Sequence, residues 1–187
     1  NCWLDLPEQI ASVTVHHEDP RLFVYKGRLY VAFTDSQFYP PPRPYTCTCK
    51  YARLRADGKR WEVERVYWPR YGTNDGSHQE KNWQLFSPEK GRLSIVYQAE
   101  PHVVLELGAD GESIVNVTRS PGGVRWPWGT IRGGTPPIRQ ADGTWLAFFH
   151  SATPYPTAPF WRRYYAGAYV FEPEPMTTDS ADVVPKW

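Results

Sequence analysis

Cysteine is scarce in this chain. Cys2, Cys47 and Cys49 are the three among 187 residues, too sparse and too odd a set for a disulfide framework. They point to a reducing compartment, so a cytoplasmic location is expected. Cys47 and Cys49 fall on one face of a strand, near the upper limit of Cα separation for a bridge, and read as packed thiols. With no neighbouring His or Cys partner, a metal on the pair is not expected. Long apolar runs are missing too: nothing approaches the ~20 residues needed to span a bilayer, and residues 1–20 lack the order of a signal peptide, so no membrane partner is expected. The chain opens at Asn1 and not at a methionine, so an incomplete N-terminus is expected. Nor is there an excess of one charge. With 21 basic and 20 acidic residues, net +1, and no basic run, nucleic acid is excluded as a partner. No serine or cysteine sits in a nucleophile-elbow context, so acyl transfer has no support.

What is present is β-forming. Aromatic residues reach 16%, Trp and Tyr together number 21, and 19 prolines and 14 glycines punctuate the chain. The length fits one domain, residues 1–187. Leu22-Phe23-Val24-Tyr25, a Lys26-Gly27 turn and residues 28–34 predict a hairpin. Four prolines in residues 38–44 predict an exposed loop. Residues 46–54, Asp57-Gly58 and residues 61–68 predict a second hairpin. The pattern returns at residues 83–97 and 102–117, and again at 136–150 with a third strand over 164–171. The inner-turn glycines Gly27, Gly91 and Gly143 lie 64 and 52 residues apart, and the two outer Asp-Gly turns, Asp57-Gly58 and Asp110-Gly111, lie 53 apart. Such a period, with four strands per unit, is the signature of propeller blades, so an all-β propeller is expected, with units at about 16–70, 80–120 and 132–175. Three blades cannot close a ring, since propellers have ~4 to 8. Either the chain is a piece of a larger propeller or further units complete it, and an open edge favours a homo-oligomer.

Three stretches precede the first strand of each unit: His16-His17-Glu18-Asp19-Pro20-Arg21, Glu80-Lys81-Asn82-Trp83, and Gly133-Gly134-Thr135-Pro136-Pro137. Pro20 fixes its own φ and biases Asp19 towards an extended conformation, holding the acidic pair at the mouth of a strand that begins at Leu22. The bland alternative is a set of polar turns capping strands. In a propeller, however, the inner strands share one channel. Repeat logic therefore converges an acid, a cation and a close-approach glycine turn on one site, with Arg21, Lys81, Asn82, Trp83, Gly134 and Thr135 lining it. His16-His17 with Asp19 and His78 makes a poor metal site, because adjacent strand residues point to opposite faces. Pro101-His102 reads as a strand start.

These stretches carry a resemblance. Glu18-Asp19-Pro20-Arg21 before a Gly-x-Leu-Tyr hairpin, Lys81-Asn82-Trp83-Gln84-Leu85-Phe86, and Gly-Gly-Thr-Pro-Pro-Ile leading to Trp145-Leu146-Ala147-Phe148-Phe149-His150 resemble the five-bladed β-propeller enzymes of glycoside hydrolase family 130, which are inverting β-mannoside phosphorylases and related hydrolases. The resemblance implies Asp19 as proton donor to the glycosidic oxygen and Lys81 and His150 near inorganic phosphate, with an oligosaccharide as substrate and no further cofactor. Arg21 would pair with Asp19 or face the substrate. An inverting displacement needs one acid and an incoming nucleophile, and phosphate needs cations to place it and no separate base. Trp83, Tyr97 and Trp128 are candidates for stacking on sugar rings. The departures are informative. A phosphate-binding arginine from an earlier blade has no counterpart, Phe149 and Ser151 replace the usual tyrosine and glycine, and Glu80 stands beside Lys81. They leave open a hydrolase, in which Glu18 or Glu80 activates water. The competing class is a non-catalytic carbohydrate-binding or scaffold propeller.

Overall fold

A computed structural model describes residues 15–37, 46–74, 79–88, 91–120 and 126–172. Residues 1–14, which include Cys2, the expected proline loop at 38–44, His78 and the residues beyond Glu172 lie outside the described residues. The described chain is all-β, with no helix, and so has none long and apolar enough to cross a membrane. Twelve strands form three four-stranded antiparallel sheets.

The first sheet runs in the order β1 (Val15–Tyr25), β2 (Arg28–Gln37), β3 (Thr46–Asp57), β4 (Arg60–Tyr67). Lys26 and Gly27, both with positive φ (49° and 71°), make the two-residue turn that matches strand twist. Contrary to expectation, β1 does not begin at Leu22. It starts at Val15 and runs through the acidic hexapeptide, with the register against β2 broken between Glu18 and Arg21. Pro20 supplies no backbone donor, so the ladder skips it and resumes beyond. Asp19 is correspondingly not extended. Its φ is 54°, a left-handed conformation that Asp tolerates better than most residues.

The second sheet repeats the order with β5 (Gln84–Phe86), β6 (Leu93–Ala99), β7 (His102–Leu107) and β8 (Ile114–Ser120). In the third, β9 (Arg132–Gly133) and β10 (Ile138–Arg139) both pair with β11 (Trp145–Tyr155), which pairs with β12 (Ala158–Phe171). Pro136 and Pro137 cannot donate to a ladder, which divides this leading edge into two short pieces. β11 and β12 form a longer hairpin than expected, running on past His150 to Tyr155 and back from Ala158.

The sheets stack through alternating apolar faces. One cluster joins Phe23, Tyr30 and Tyr51 of the first sheet to Trp83, Leu85, Ile95 and Leu105 of the second. Another joins Phe86 and Val96 of the second to Trp145, Ala147, Phe149 and Phe171 of the third. Thus Ile95 and Val96, neighbours on β6, face opposite sheets, as the two-residue period requires. Phenol hydroxyls tie the layers at turns: Tyr51 donates to the Gly111 carbonyl (2.6 Å) and Tyr25 to that of Gly91 (2.8 Å).

His102 does open a strand, and it is buried between the second and third sheets against Tyr169 and Phe171. Burial lowers its pKa from 6.5 to about 4, so the folded state holds it neutral where the unfolded chain would protonate it. Its contribution is therefore present above pH 6.5 and lost as pH falls towards 4, a change of about 3 kcal/mol by linkage. In urea unfolding between pH 7 and 4, the wild-type chain should lose stability more steeply than His102→Gln. Equal slopes would show that His102 does not set this dependence.

Candidate functional site

The site is built on one guanidinium. Arg21, at the end of the β1 bulge, donates from Nη2 to Asn82 Oδ1 (3.0 Å) and to the Gly133 carbonyl (3.3 Å). The segments leading into the first strands of all three sheets thus meet at a single side chain. Each carries a local peculiarity that permits this. Asn82 is buried with φ 67°, again a residue type that accepts the left-handed region. Gly133 cannot carry a side chain, because a Cβ would lie 2.2 Å from the Asn82 carbonyl oxygen. Gly134 donates its N–H to the Phe148 carbonyl (2.9 Å). Fully buried Gln84 fastens the same junction by donating from Nε2 to the carbonyls of Thr135 (2.6 Å) and Phe148 (2.9 Å).

The carboxylates have diverged. Glu18 accepts from Ser36 Oγ (2.7 Å) and pairs with Lys81 Nζ at 3.0 Å, so the first and second sheets also meet through an ion pair. Glu80 accepts from the Thr73 hydroxyl (2.8 Å), the Tyr97 hydroxyl (3.1 Å) and Trp83 Nε1 (3.3 Å), which makes it a hub bracing the turn at 72–74 against β5 and β6. Trp83 is 2% exposed, edge-on to Tyr97 within the core between the first two sheets, while Trp128 is 45% exposed and stacked on Tyr165. Asp19 alone of the acidic residues in these leading segments is exposed at the junction without a hydrogen bond or ion pair among the described residues. It lies within electrostatic reach of Arg21 and His150.

Burial lowers the pKa of Arg21, and Asp19 opposes that shift. Burial lowers that of His150 as well, assisted by the positive charges of Arg21 and Arg132 and opposed by Asp19. His150 and Arg132 are Cα partners across β9 and β11 and so share a face. Sequence reasoning passed over Arg132, although it directly precedes the Gly-Gly pair. The structure therefore gathers Asp19, Arg21, Asn82, Arg132, Gly133 and His150 at one junction, with Glu18 and Lys81 joined beside it; Trp83 is enclosed, and Thr135 contributes its carbonyl to Gln84.

Cys47 and Cys49 are buried thiols outside any disulfide, and burial pushes Cys49 well above the usual thiol range, away from nucleophilic chemistry. Among the described residues no group of three or more His, Cys, Asp or Glu side chains could hold a metal. His17 instead lies with Nδ1 3.8 Å from Oδ1 of buried Asp35, whose other oxygen pairs with Lys50. An apolar groove of about 930 Å³ opens beside Arg21, walled by Leu22, Val24, Phe86, Ile138 and Phe148.

The close approach at Gly133 makes a direct test of the junction. Gly133→Ala should cost about 1–3 kcal/mol in urea unfolding, through forced displacement of the Asn82 backbone. Exposed Lys59→Ala should stay within about 0.5 kcal/mol. A neutral Gly133→Ala would mean that the second and third sheets do not meet this closely. Compared with models of known protein families and with curated proteins, the chain matches none.

Proposed function

We propose that the chain forms part of a five-bladed β-propeller of the glycoside hydrolase family 130 type and cleaves β-mannosides with inversion, with Asp19 as general acid and phosphate or water as acceptor. The observation that carries this reading is the meeting of three sheets at Arg21, with the exposed carboxylate of Asp19 on the bulge beside it. The three sheets of this chain would be successive blades and the junction one sector of the shared channel mouth.

In this reading Asp19 delivers its proton to the glycosidic oxygen as the bond to the anomeric carbon breaks, while the acceptor attacks from the opposite face of the sugar. Arg21 fixes the bulge that aims Asp19. Asn82 and Gly133 fix Arg21 in turn. Glu18, held by Ser36 and Lys81, is the carboxylate best placed to activate water if water is the acceptor. Glu80 is a bracing residue whose acceptor capacity is already occupied by Thr73, Trp83 and Tyr97.

The test is product release from β-1,4-mannobiose and mannosyl-glucose, with and without inorganic phosphate, beside Asp19→Asn. The wild type should release mannose 1-phosphate or mannose, and the variant should lose at least about 100-fold in rate while still binding the sugar. Turnover unaffected by Asp19→Asn would overturn the assignment of the acid. Sugar binding with no product in either buffer would make the protein a carbohydrate-binding propeller.

A further inference from the structure

Ser151, one of the departures from the resembled family, is fully buried, and its hydroxyl makes two hydrogen bonds. It accepts from Trp126 Nε1 (2.6 Å) and donates to the Trp128 carbonyl (2.6 Å), which pins residues 126–128 to β11. Gly129 closes the seam, since a Cβ there would lie 2.4 Å from the Ala152 carbonyl oxygen. The Trp128 ring is stacked on Tyr165 at 5.6 Å and meets Trp126 edge-on, and Trp126 in turn meets Phe149 of the core. Trp128 is 45% exposed even with one face on Tyr165, so much of its opposite face is open to solvent. Polar groups stand beside it. Ser151 pairs with Tyr165 and Thr153 with Arg163 across β11 and β12, so all four share one face. The Tyr165 hydroxyl is hydrogen-bonded to Thr153 and Arg163, and the exposed Arg163 guanidinium lies 5.0 Å from the centre of the Tyr155 ring. The segment carrying Trp128 runs on into β9, whose Gly133 carbonyl holds Arg21.

We infer that Trp128, with Tyr165 and Arg163 beside it, is a stacking platform for one pyranose unit of a neutral oligosaccharide, outside the Arg21 junction. The C–H bonds on one face of a pyranose are polarised positively and the face of an indole negatively, so the two attract when stacked. The hydroxyls at the sugar's rim need donors and acceptors, which Arg163 and Tyr165 supply. Stacking takes a flat face and no cavity. Because Ser151 and Gly129 already hold the ring, little conformational entropy is lost when a sugar arrives. A protein partner would need a broad, dry, apolar centre, whereas the open indole is bordered by a guanidinium and hydroxyls. The inference rests on the mannoside-cleaving reading for the identity of the sugar: the junction takes the bond to be cleaved, and the platform takes a unit further along the same oligosaccharide.

The experiment is calorimetric titration of the full chain with β-1,4-mannohexaose, β-1,4-mannobiose and cellohexaose, in the Asp19→Asn background so that no sugar is consumed. Trp128→Ala, Ser151→Ala and Trp61→Ala are compared in that background, each checked for folding by circular dichroism. Mannohexaose should bind about tenfold or more tighter than mannobiose, and Trp128→Ala should remove most of that advantage. Trp61→Ala, at an exposed position of the first sheet, should keep it. Ser151→Ala should lower the advantage in part; equal weakening of both sugars would overturn its part in positioning Trp128. Equal affinity for hexaose and biose, or an advantage unchanged in Trp128→Ala, overturns the platform. So does a dimer in sedimentation that Trp128→Ala abolishes, with no sugar bound, which would make this surface a protein interface. Trp128-dependent binding of cellohexaose in place of mannohexaose keeps the platform and reassigns the sugar. Trp128-dependent mannohexaose binding in a wild-type chain that cleaves no mannoside keeps the platform and removes the reaction. Cleavage of mannobiose with no binding advantage for the hexaose does the reverse.

Discussion

The bond from Arg21 to both Asn82 and Gly133 is the constraint on which the rest of the junction depends. Removing a guanidinium from water is costly, and the cost is tolerable only if its donors find acceptors and a carboxylate lies near. Here the acceptors come from two other sheets and the carboxylate from the same bulge. Satisfying that one cation therefore fixes the relative position of three sheets. It also accounts for the backbone around it. The β1 register breaks to bring Arg21 inward, Asn82 adopts a left-handed conformation to present Oδ1, and Gly133 lacks a Cβ because the Asn82 carbonyl occupies its place.

Apolar stacking supplies the bulk stabilisation but little directional information, since any two flat apolar faces attract. Direction comes from the polar ties at the edges. Tyr51 and Tyr25 reach across to the turns of the second sheet, and Gln84 reaches from the second to the carbonyls of the third. Because these acceptors are backbone groups, a slip by one residue would leave a buried donor unpaired at Gln84 and reverse the inward face of β6. The same ties that set the register thereby bring the leading segments together at Arg21.

The repeat was legible because its signals are local. Gly27, Gly91 and Gly143 take positive φ at their turns, and these turns join β1 to β2, β5 to β6 and β10 to β11. The convergence of residues 18–21, 80–83 and 133–135 followed from that repeat. Other features depend on pairings that no local pattern encodes. The rule that the residue before proline is extended failed at Asp19, where the bulge and its ties to other sheets override local preference. β9 has two residues and no periodicity, so Arg132 was invisible until its partner on β11 was known. Glu80 looked available because it stands beside Lys81, yet a half-buried carboxylate turns to whichever donors surround it, and those came from Thr73, Trp83 and Tyr97.

Glu18, Asp19 and Glu80 show how three acids of similar intrinsic chemistry acquire different functions through their neighbours. Glu80 accepts from Thr73, Trp83 and Tyr97 and so braces the turn at 72–74, and Glu18 spends its oxygens on Ser36 and Lys81. The pairing of Glu18 with Lys81 also withdraws that lysine's charge from the junction, so the cation that interacts with Asp19 there is Arg21. Arg21 is held through the Gly133 carbonyl, and the residue before that glycine, Arg132, pairs with His150 across the third sheet. Asp19, exposed and without a hydrogen bond or ion pair among the described residues, is the carboxylate of these leading segments left to donate the proton in the proposed cleavage.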